Sequence, residues 1–374
     1  MGRYNYSDNI RASGRSLHLQ TNNYDEEKKI VSTLFDGGRV LAKDELDYEL
    51  SDIKNLAEYV KQLHTEKMAS IELLYAISAR VKTVRHPSSL NRLGCQFLKW
   101  GLLDEAISEL TMAIQYDPNF GEVYLNLGTA YLKRGSIEEA LKIFHDGTQR
   151  FSNYADLCLK LGFAYLKHKQ YQEAVIKFRS ALKINSSYDE AHFYMALGFT
   201  EILNHNEFGD GIPDQEVCAN LAKKHLSRAV ALSMRFRIPE VEEIMRKLHK
   251  GNYDSASQLF EKVGSNIPKI LDLDFVDEFY LNFMYGEKGK NEKLVHDFIK
   301  KLELLVKRHP KYGDIKTHLG IGYLIQCREL FINALQQFRS AVEIDPNYKK
   351  AEANLKLAKN EGKGFLILLR ALLK

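Results

Sequence analysis

Residues that commonly carry chemistry are scattered through this sequence rather than grouped. The four cysteines form no CxxC pair, so they indicate neither a zinc ribbon nor a disulfide framework; they are Cys95, Cys158, Cys218 and Cys327. The twelve histidines never form HExxH, and none has a second histidine three or four positions away. A zinc pair on one helix is therefore not predicted.

Phosphate-binding, calcium-binding and nucleophile motifs also fail on inspection. Gly362-Lys363-Gly364 lacks the upstream glycine and the downstream Ser or Thr of a phosphate loop, and no GxSxG is present. The segment NHNEFGDGIPDQE begins at Asn204, and its twelfth residue is Gln215, where a calcium loop needs a bidentate Glu. The sequence predicts a non-enzymatic protein without a cofactor.

Composition narrows the class of protein and its surroundings. The 374 residues are 45% hydrophobic, and 53 Lys and Arg against 49 Asp and Glu leave a net charge of only +4. So balanced a charge gives no strong attraction to polyanions, and nucleic acid is not the expected partner. The start MGRYNYSDNIRASGR has no apolar run, and the longest such run, FLILL, is far shorter than the roughly 18 residues that cross a bilayer. We expect a cytoplasmic protein.

A repeat of 34 residues dominates the sequence. Small residues recur at this interval as Gly94, Gly128, Gly162 and Ala196, and aromatic residues recur as Phe97, Tyr131, Tyr165 and Phe199. A second helix in each repeat is indicated by Ala106, Ala140 and Ala174, followed by Leu110, Phe144 and Phe178. The apolar positions fall on one helical stripe, which remains exposed to solvent unless a neighbouring helix pair covers it. We predict that the helix pairs stack, with a small residue where two helices cross closely.

This pattern resembles the tetratricopeptide repeat (TPR) family, most strongly over 87–185. The resemblance implies a mainly α fold, a right-handed superhelix of helix pairs. Following the second-helix anchor predicts about seven repeats, at 87–120, 121–154, 155–188, 189–236 with an insertion, 237–270, 279–312 and 313–348. The sixth repeat has Phe298 where Ala is usual, so looser or rearranged packing is expected there.

The first 86 residues differ from the repeats. LHLQT, KKIVSTLF and RVLAK are β-prone runs, and Asp36-Gly37-Gly38 is a hairpin signal, so a small sheet is predicted within 1–50. Apolar residues at helical spacing predict a long helix within 51–86, with Ser51 as its N-cap. This α+β extension either caps the first repeat or forms a dimerisation or partner-docking module with an exposed strand edge.

The C-terminal end combines a capping helix with an apolar tail. The segment 349–360 resembles the polar helix that ends such stacks, whereas 361–374 is apolar on nearly every side except at Arg370. Such a tail folds back on its own repeats, docks into another molecule or lies weakly at a membrane surface.

The resemblance also implies where a partner binds, because the first helix of each TPR lines a concave surface. The predicted partner-binding residues are Arg92, Lys99, Leu125, Asn126, Lys133, Leu159, Lys160, Phe163, Lys167, Phe193 and Tyr194. Apolar side chains beside spaced lysines suit an extended or helical peptide with apolar anchors and acidic residues. The alternative is a merely solvated face, or one that the protein's own tail fills.

One TPR sub-function is disfavoured by a residue-by-residue comparison. The positions matching the family's carboxylate clamp for chaperone C-termini are Asn91, Cys95, Asn126, Asp156 and Lys160. Only Asn126 agrees outright, and Asp156 would repel a carboxylate.

The sequence therefore predicts an adaptor or scaffold that binds a protein or peptide on the concave TPR surface. The alternative is a structural subunit that self-assembles through its hairpin edge or its apolar tail. An RNA-binding repeat is disfavoured by the acidic residues of the same surface, Glu122, Asp156 and Glu190.

Overall fold

A computed structural model gives the fold and describes residues 4–12, 14–48, 55–209, 211–268, 273–286, 292–310, 312–346 and 349–373. The chain divides into two compact bodies. The terminal body comprises 1–96 together with 273–374, and the central body comprises 97–272.

The terminal body begins with a four-stranded antiparallel sheet in the order β1-β2-β3-β4. Its strands are β1 (Asn5–Ala12), β2 (Arg15–Tyr24), β3 (Lys29–Asp36) and β4 (Arg39–Asp47). Gly37 and Gly38 make the predicted tight turn, with positive φ values of 55° and 83°. The predicted runs became β2, β3 and β4. Strand β1 was missed because NYSDNIRA is rich in residues with low β-propensity.

A long helix, α1 (Leu56–Val84), packs on β1 and β2. Its N-cap is Asn55, whose side chain accepts a hydrogen bond from the Glu58 amide, while the predicted cap Ser51 lies outside the described residues. Buried His64 ties the helix to the sheet: Nδ1 lies 2.9 Å from Thr21 Oγ1, and Nε2 lies 3.2 Å from Asp8 Oδ2. The sheet and α1 form the predicted N-terminal α+β extension.

A series of helices follows along the chain. They are α2 (Pro87–Lys99), within which the boundary between the two bodies falls, α3 (Leu103–Tyr116), α4 (Gly121–Arg134), α5 (Ile137–Arg150), α6 (Ala155–Lys167), α7 (Tyr171–Ile184), α8 (Asp189–His205), α9 (Gln215–Leu232), α10 (Pro239–His249) and α11 (Tyr253–Ser265). A short 3₁₀ turn, Met234–Phe236, links α9 to α10. The mainly α repeat architecture predicted from the 34-residue spacing is confirmed.

Small residues stand where two helices of a repeat cross, as predicted. A Cβ added to Gly128 would lie 2.4 Å from Cε1 of Phe144, and one added to Gly162 would lie 2.5 Å from Cε1 of Phe178. Both phenylalanines are completely buried. Because any larger side chain would push the helix axes apart, the repeat's glycines and phenylalanines are two parts of one contact.

The terminal body ends with α12 (Asp274–Tyr285), α13 (Glu292–Arg308), α14 (Gly313–Ile344) and α15 (Lys349–Leu373). Phe298 packs face to face on Phe279, with ring centres 3.6 Å apart, so aromatic stacking replaces the usual small-residue contact in the sixth repeat. The predicted capping helix 349–360 and tail 361–374 form one helix as far as Leu373. Ile367 within it is 68% exposed, and most side chains of the tail lie outside the described residues.

The helix pair predicted for 313–348 was wrong. Residues 313–344 form the single 32-residue helix α14. The matched repeats turn at Gly101, Gly135 or Lys169, each with positive φ, whereas CRELFINAL in the middle of α14 contains neither Gly nor Pro. Helix-forming residues therefore continue through the place where a turn was expected. None of the helices formed by described residues combines the length and apolar character needed to cross a membrane.

Candidate peptide-binding surface

The predicted binding residues stand on the first helices α2, α4, α6 and α8. One repeat position recurs as Leu125, Leu159 and Phe193, and the next recurs as Asn126, Lys160 and Tyr194. Residues at one repeat position leave their helices in the same direction, so these two rows follow a single face. The neighbours of that face differ from helix to helix.

Helices α4 and α6 leave part of this face open. Leu125, Asn126 and Phe163 are half-buried, whereas Lys133 and Lys167 are exposed. We call these five residues the open face. The Leu125 carbonyl accepts a hydrogen bond of 2.7 Å from Thr129 Oγ1, so that hydroxyl is satisfied within the helix. Lys99, the predicted residue near the end of α2, is half-buried.

The α8 part of the predicted face is covered by α11, a helix of the same body. Phe193 is completely buried, with its ring 5.0 Å from that of Phe236 and 5.2 Å from that of Phe260. Tyr194 is 6% exposed, and its hydroxyl donates to the Gly264 carbonyl at 3.4 Å. The expectation that Phe193, Tyr194 and Leu159 are exposed was wrong; Leu159 is only 1% exposed.

Arg92 also makes contacts within the chain, to helix α12 of the terminal body. Its Nε lies 3.5 Å from Oδ1 of Asp277, and its guanidinium carbon lies 4.6 Å from the centre of the Tyr280 ring. Both partners belong to α12. The interpretation of Arg92 as a residue that faces a partner is corrected, since a cation so placed stabilises packing between α2 and α12.

Internal acids pair with two of the predicted lysines. Lys160 Nζ lies 3.8 Å from Oε1 of Glu190, and Lys167 Nζ lies 3.2 Å from Oε1 of Glu261. Arg235 binds Asp189 at 2.8 Å and lies 3.5 Å from Glu190. Much of the charge on this side of the central body is therefore balanced within the chain, which reduces its pull on an acidic peptide.

Beside the open face, α6, α7, α8 and α11 enclose a cavity of about 210 Å³. Its lining comprises Phe163, Leu166, Lys167, Lys169, Tyr171, Tyr194, Leu197, Glu201, Phe260, Glu261, Gly264 and Ser265. Burial raises the pKa of the Glu201 carboxyl, and a hydrogen bond from Ser257 partly opposes that rise. The cavity thus joins the open face to a desolvated carboxylate.

Sequence reasoning missed the α11 residues of this cavity. Phe260 lies 34 residues after Leu226, but nothing in the 34-residue pattern indicates that Glu261 approaches Lys167 of α6 or that Gly264 approaches Tyr194 of α8. The sequence does show that the first helix of that repeat, Pro239–His249, contains no Gly or Ala, which indicates altered packing but not its direction.

The described residues hold no group of three or more His, Cys, Asp or Glu side chains placed to bind a metal ion. All four cysteines lie within the described ranges and are thiols, two of them buried. The chemistry available at the candidate surface is therefore that of apolar, cationic and carboxylate side chains.

Comparisons with known proteins agree with the repeat assignment. Two family models, both described as tetratricopeptide repeat, match residues 98–161 and 155–188. Similar solved structures include a TPR protein from Parabacteroides merdae, 20% identical, which covers 73% of this chain and 98% of that one at a TM-score of 0.34. MamA from Desulfovibrio magneticus is 16% identical, with 48% and 93% covered and a TM-score of 0.36.

YrrB, described as a TPR protein with an unusual peptide-binding site, is 14% identical, with 64% and 95% covered and a TM-score of 0.34. TM-scores this low support no argument about a shared binding site. The search of curated proteins finds no match. The repeats matched over 98–188, with their glycine and phenylalanine contacts, make this chain a tetratricopeptide-repeat protein.

Proposed function

We propose that this protein is a non-enzymatic scaffold that binds an extended or helical segment of a partner protein along its open face. TPR proteins are interaction modules in general, and the finer assignment rests on one observation. Two neighbouring repeats leave Leu125 and Phe163 half-buried and Lys133 and Lys167 exposed, and Phe163 and Lys167 also line a preformed cavity. Apolar anchors flanked by charge are what a peptide-binding groove needs.

The mechanism is rigid presentation of a preformed surface. The inner sides of α4 and α6 are fixed by the Gly128–Phe144 and Gly162–Phe178 contacts, so binding requires little ordering of the scaffold. The partner segment bears most of the conformational entropy cost. We place this scaffold in the reducing cytoplasm, in keeping with its four thiols.

A random peptide library displayed on phage tests the proposal with the full chain as bait. Selected peptides are then synthesised, and their affinity is measured by fluorescence anisotropy for the wild type and for Lys133→Glu. We expect the charge reversal to weaken binding by about tenfold, the effect of losing one favourable charge contact and gaining a repulsive one.

Lys142→Glu is the matched control. Lys142 is an exposed lysine on α5, the second helix of the same repeat, and it stands outside the open face. Its reversal changes net charge equally and should leave affinity unchanged. Equal losses in both variants, or no loss in Lys133→Glu, would place peptide binding elsewhere.

A second candidate function, self-assembly, is favoured by the two edges of the sheet. Strand β1 pairs with β2 in an unbroken register from Asn5 to Ala12, and its other edge carries no strand among the described residues. At the opposite edge, β4 pairs with β3, and this pairing is interrupted by a bulge at Leu34/Phe35. Strand β4 also contains five charged residues. Bulges and charges protect an edge against pairing, so β1 is the better edge for adding a strand.

Light scattering of the full chain tests this candidate. If copies pair through β1, Asn9→Lys should convert dimers into monomers, whereas Glu45→Lys on β4 should leave them intact. Truncation before residue 364 separates this edge from the apolar tail. A wild-type chain that is monomeric at every concentration tested would exclude self-assembly.

A further inference from the structure

The cavity beside the open face has aromatic walls. The rings of Phe163 and Tyr194 meet edge to face, with centres 5.2 Å apart and an angle of 65° between their planes. Tyr171, also in the lining, stacks on His205 at 5.0 Å. Lys167 already places its ammonium 5.6 Å from the centre of the Phe163 ring. Aromatic faces attract cations, so these walls favour a cationic guest over an anionic one.

Glu201 supplies a buried carboxylate to the same cavity. Its side chain is only 12% exposed; Oε1 accepts a hydrogen bond from Ser257 Oγ, and Oε2 lies 3.5 Å from His205 Nε2. A carboxylate offers about four lone-pair sites, so it can accept further hydrogen bonds. Because this carboxylate is largely removed from water, a cation brought to it would gain more than one meeting a solvated acid.

The charges around the cavity differ in exposure as well as sign. Lys167 and Glu261 pair with each other at 3.2 Å. Of the remaining two, Lys169 is exposed to solvent, whereas Glu201 is not. Water and salt screen the exposed lysine far more than the buried carboxylate, so the interior of the cavity is negative. Burial raises the pKa of Tyr171 within the lining, and the carboxylates of Glu201, Glu207 and Glu261 raise it further.

We propose that this cavity binds a lysine or arginine side chain of the partner segment, with its charged head at Glu201 and its stem against Leu166 and Leu197. The proposal rests on the scaffold function and specifies its partner chemistry. It also reverses part of the sequence-based expectation. The lysines predicted an acidic peptide. At the cavity, however, Lys167 is paired with Glu261, and the charged side chain removed from water is the carboxylate of Glu201. The volume of about 210 Å³ suits one large side chain.

The test uses small probes on the full chain rather than an unidentified partner. N-acetyl-arginine amide, N-acetyl-norleucine amide and N-acetyl-glutamate amide are titrated separately, and the methyl NMR signals of Leu166 and Leu197 report occupancy. We expect the arginine probe to shift both residues saturably and to bind about tenfold more tightly than the norleucine probe, since one charge-assisted hydrogen bond accounts for such a ratio. Equal affinities, or tighter binding of the glutamate probe, would overturn the proposal.

Variants assign the effect to Glu201. Glu201→Gln keeps an acceptor for Ser257 and should reduce arginine binding to the norleucine level. Glu216→Gln is the matched control, because this exposed carboxylate of α9 is not part of the lining. Lys167→Gln frees Glu261 and should tighten arginine binding several-fold. If Glu201→Gln failed to fold, the Lys167→Gln result would decide alone, and unchanged or weaker binding there would refute the proposal.

The probe titration tests the cation site, and the peptide selection tests the scaffold function, so the two proposals can be refuted separately. Saturable arginine binding without any selected peptide would leave the cavity as a cation site and remove the scaffold function. Selected peptides that lack basic residues, together with no binding of the arginine probe, would keep the scaffold and remove the cation site.

Discussion

Helices α4 and α8 hold the same place in two repeats of the central body but have different surroundings. Every residue from 191 to 200 on α8 is buried, whereas α4 leaves Leu125, Asn126 and Thr129 half-buried and Lys133 exposed. The cause is α11, which places Phe260 against Phe193 and the Gly264 carbonyl near the Tyr194 hydroxyl.

This difference shows what a repeat position determines. Both helices direct small residues and large apolar residues inward, because the helix pair needs that contact wherever it occurs. The outward side of each helix depends on the element that packs against it. Helix α11 covers the outward side of α8, and it contacts α6 through the Lys167–Glu261 ion pair. Exposure on this face is therefore a property of the tertiary structure: α4 and α6 keep part of the face exposed, whereas α8 is buried from 191 to 200.

The largest expected effect on stability distinguishes Phe193 from Leu125, which occupy equivalent positions in two repeats. Phe193→Ala should lower the free energy of unfolding by about 3–5 kcal/mol, because it leaves a cavity among Phe236, Phe260 and Tyr194. Leu125→Ala should cost less than about 1.5 kcal/mol, since that side chain is half-buried. Urea unfolding followed by circular dichroism measures both.

Comparable losses at Phe193 and Leu125 would mean that α4 is covered as thoroughly as α8. In that case the open face would not exist as described, and the scaffold proposal would lose its site. The comparison is therefore the most direct stability test of the surface assignment.

The next effect concerns the inward sides, which should behave alike. Gly128→Ala and Gly162→Ala should each cost about 1–3 kcal/mol, because the added Cβ would meet a phenylalanine ring at 2.4 or 2.5 Å. Gly320→Ala is the matched control: a Cβ there meets nothing within 4 Å, and the change should stabilise α14 by about 0.5–1 kcal/mol. Chemical denaturation gives all three values, and a tolerated Gly128→Ala would show that close helix crossing is not what fixes the repeat.

The sequence predicts contacts within one repeat better than contacts between a repeat and a distant element. The glycine and phenylalanine contacts could be predicted because they lie within one repeat, and the turn at Gly37-Gly38 could be predicted from local chemistry. The burial of Phe193 and Tyr194 could not, since their α11 partners Phe260 and Gly264 lie 67 and 70 residues further along the chain, in the following repeat rather than in their own. The continuous helix α14 could have been predicted from the absence of a turn residue in CRELFINAL, but the repeat spacing was followed instead.

A smaller effect distinguishes α8 by its response to acid. His192 occupies the repeat position of Tyr124 in α4, and its Nδ1 lies 2.9 Å from Nδ1 of His225 on α9. Since the Ser186 carbonyl lies 3.2 Å from His192 Nε2, that nitrogen donates and His192 Nδ1 accepts from His225. This arrangement requires a neutral His192 ring and a proton on Nδ1 of His225.

Burial lowers the pKa of His192, and burial together with His192, Lys224 and Arg179 lowers that of His225 to about 4. Both native values lie below the ordinary value of about 6.5, so the native state binds fewer protons than the unfolded chain. Stability from this pair is present above about pH 6.5 and is lost as the pH falls towards 4. The loss should be on the order of 1 kcal/mol after screening of the half-buried ring. Thermal melts at about pH 7 and pH 4.5 measure it, and His225→Asn should flatten the difference; an unchanged difference would assign it to other groups.

The smallest expected effect tests what holds α11 over α8. The Lys167–Glu261 ion pair joins α6 to α11, but its side chains are 46% and 59% exposed. An exposed pair contributes at most about 1 kcal/mol, so Glu261→Gln should change the free energy of unfolding by less than about 0.5 kcal/mol and should lose even that at high salt. Phe193, which is completely buried against Phe260, should account for the covering of α8 instead. If urea unfolding showed a loss at Glu261→Gln as large as that at Phe193→Ala, the cover would be electrostatic. The open and covered parts of the face would then exchange with ionic strength rather than stay fixed by packing.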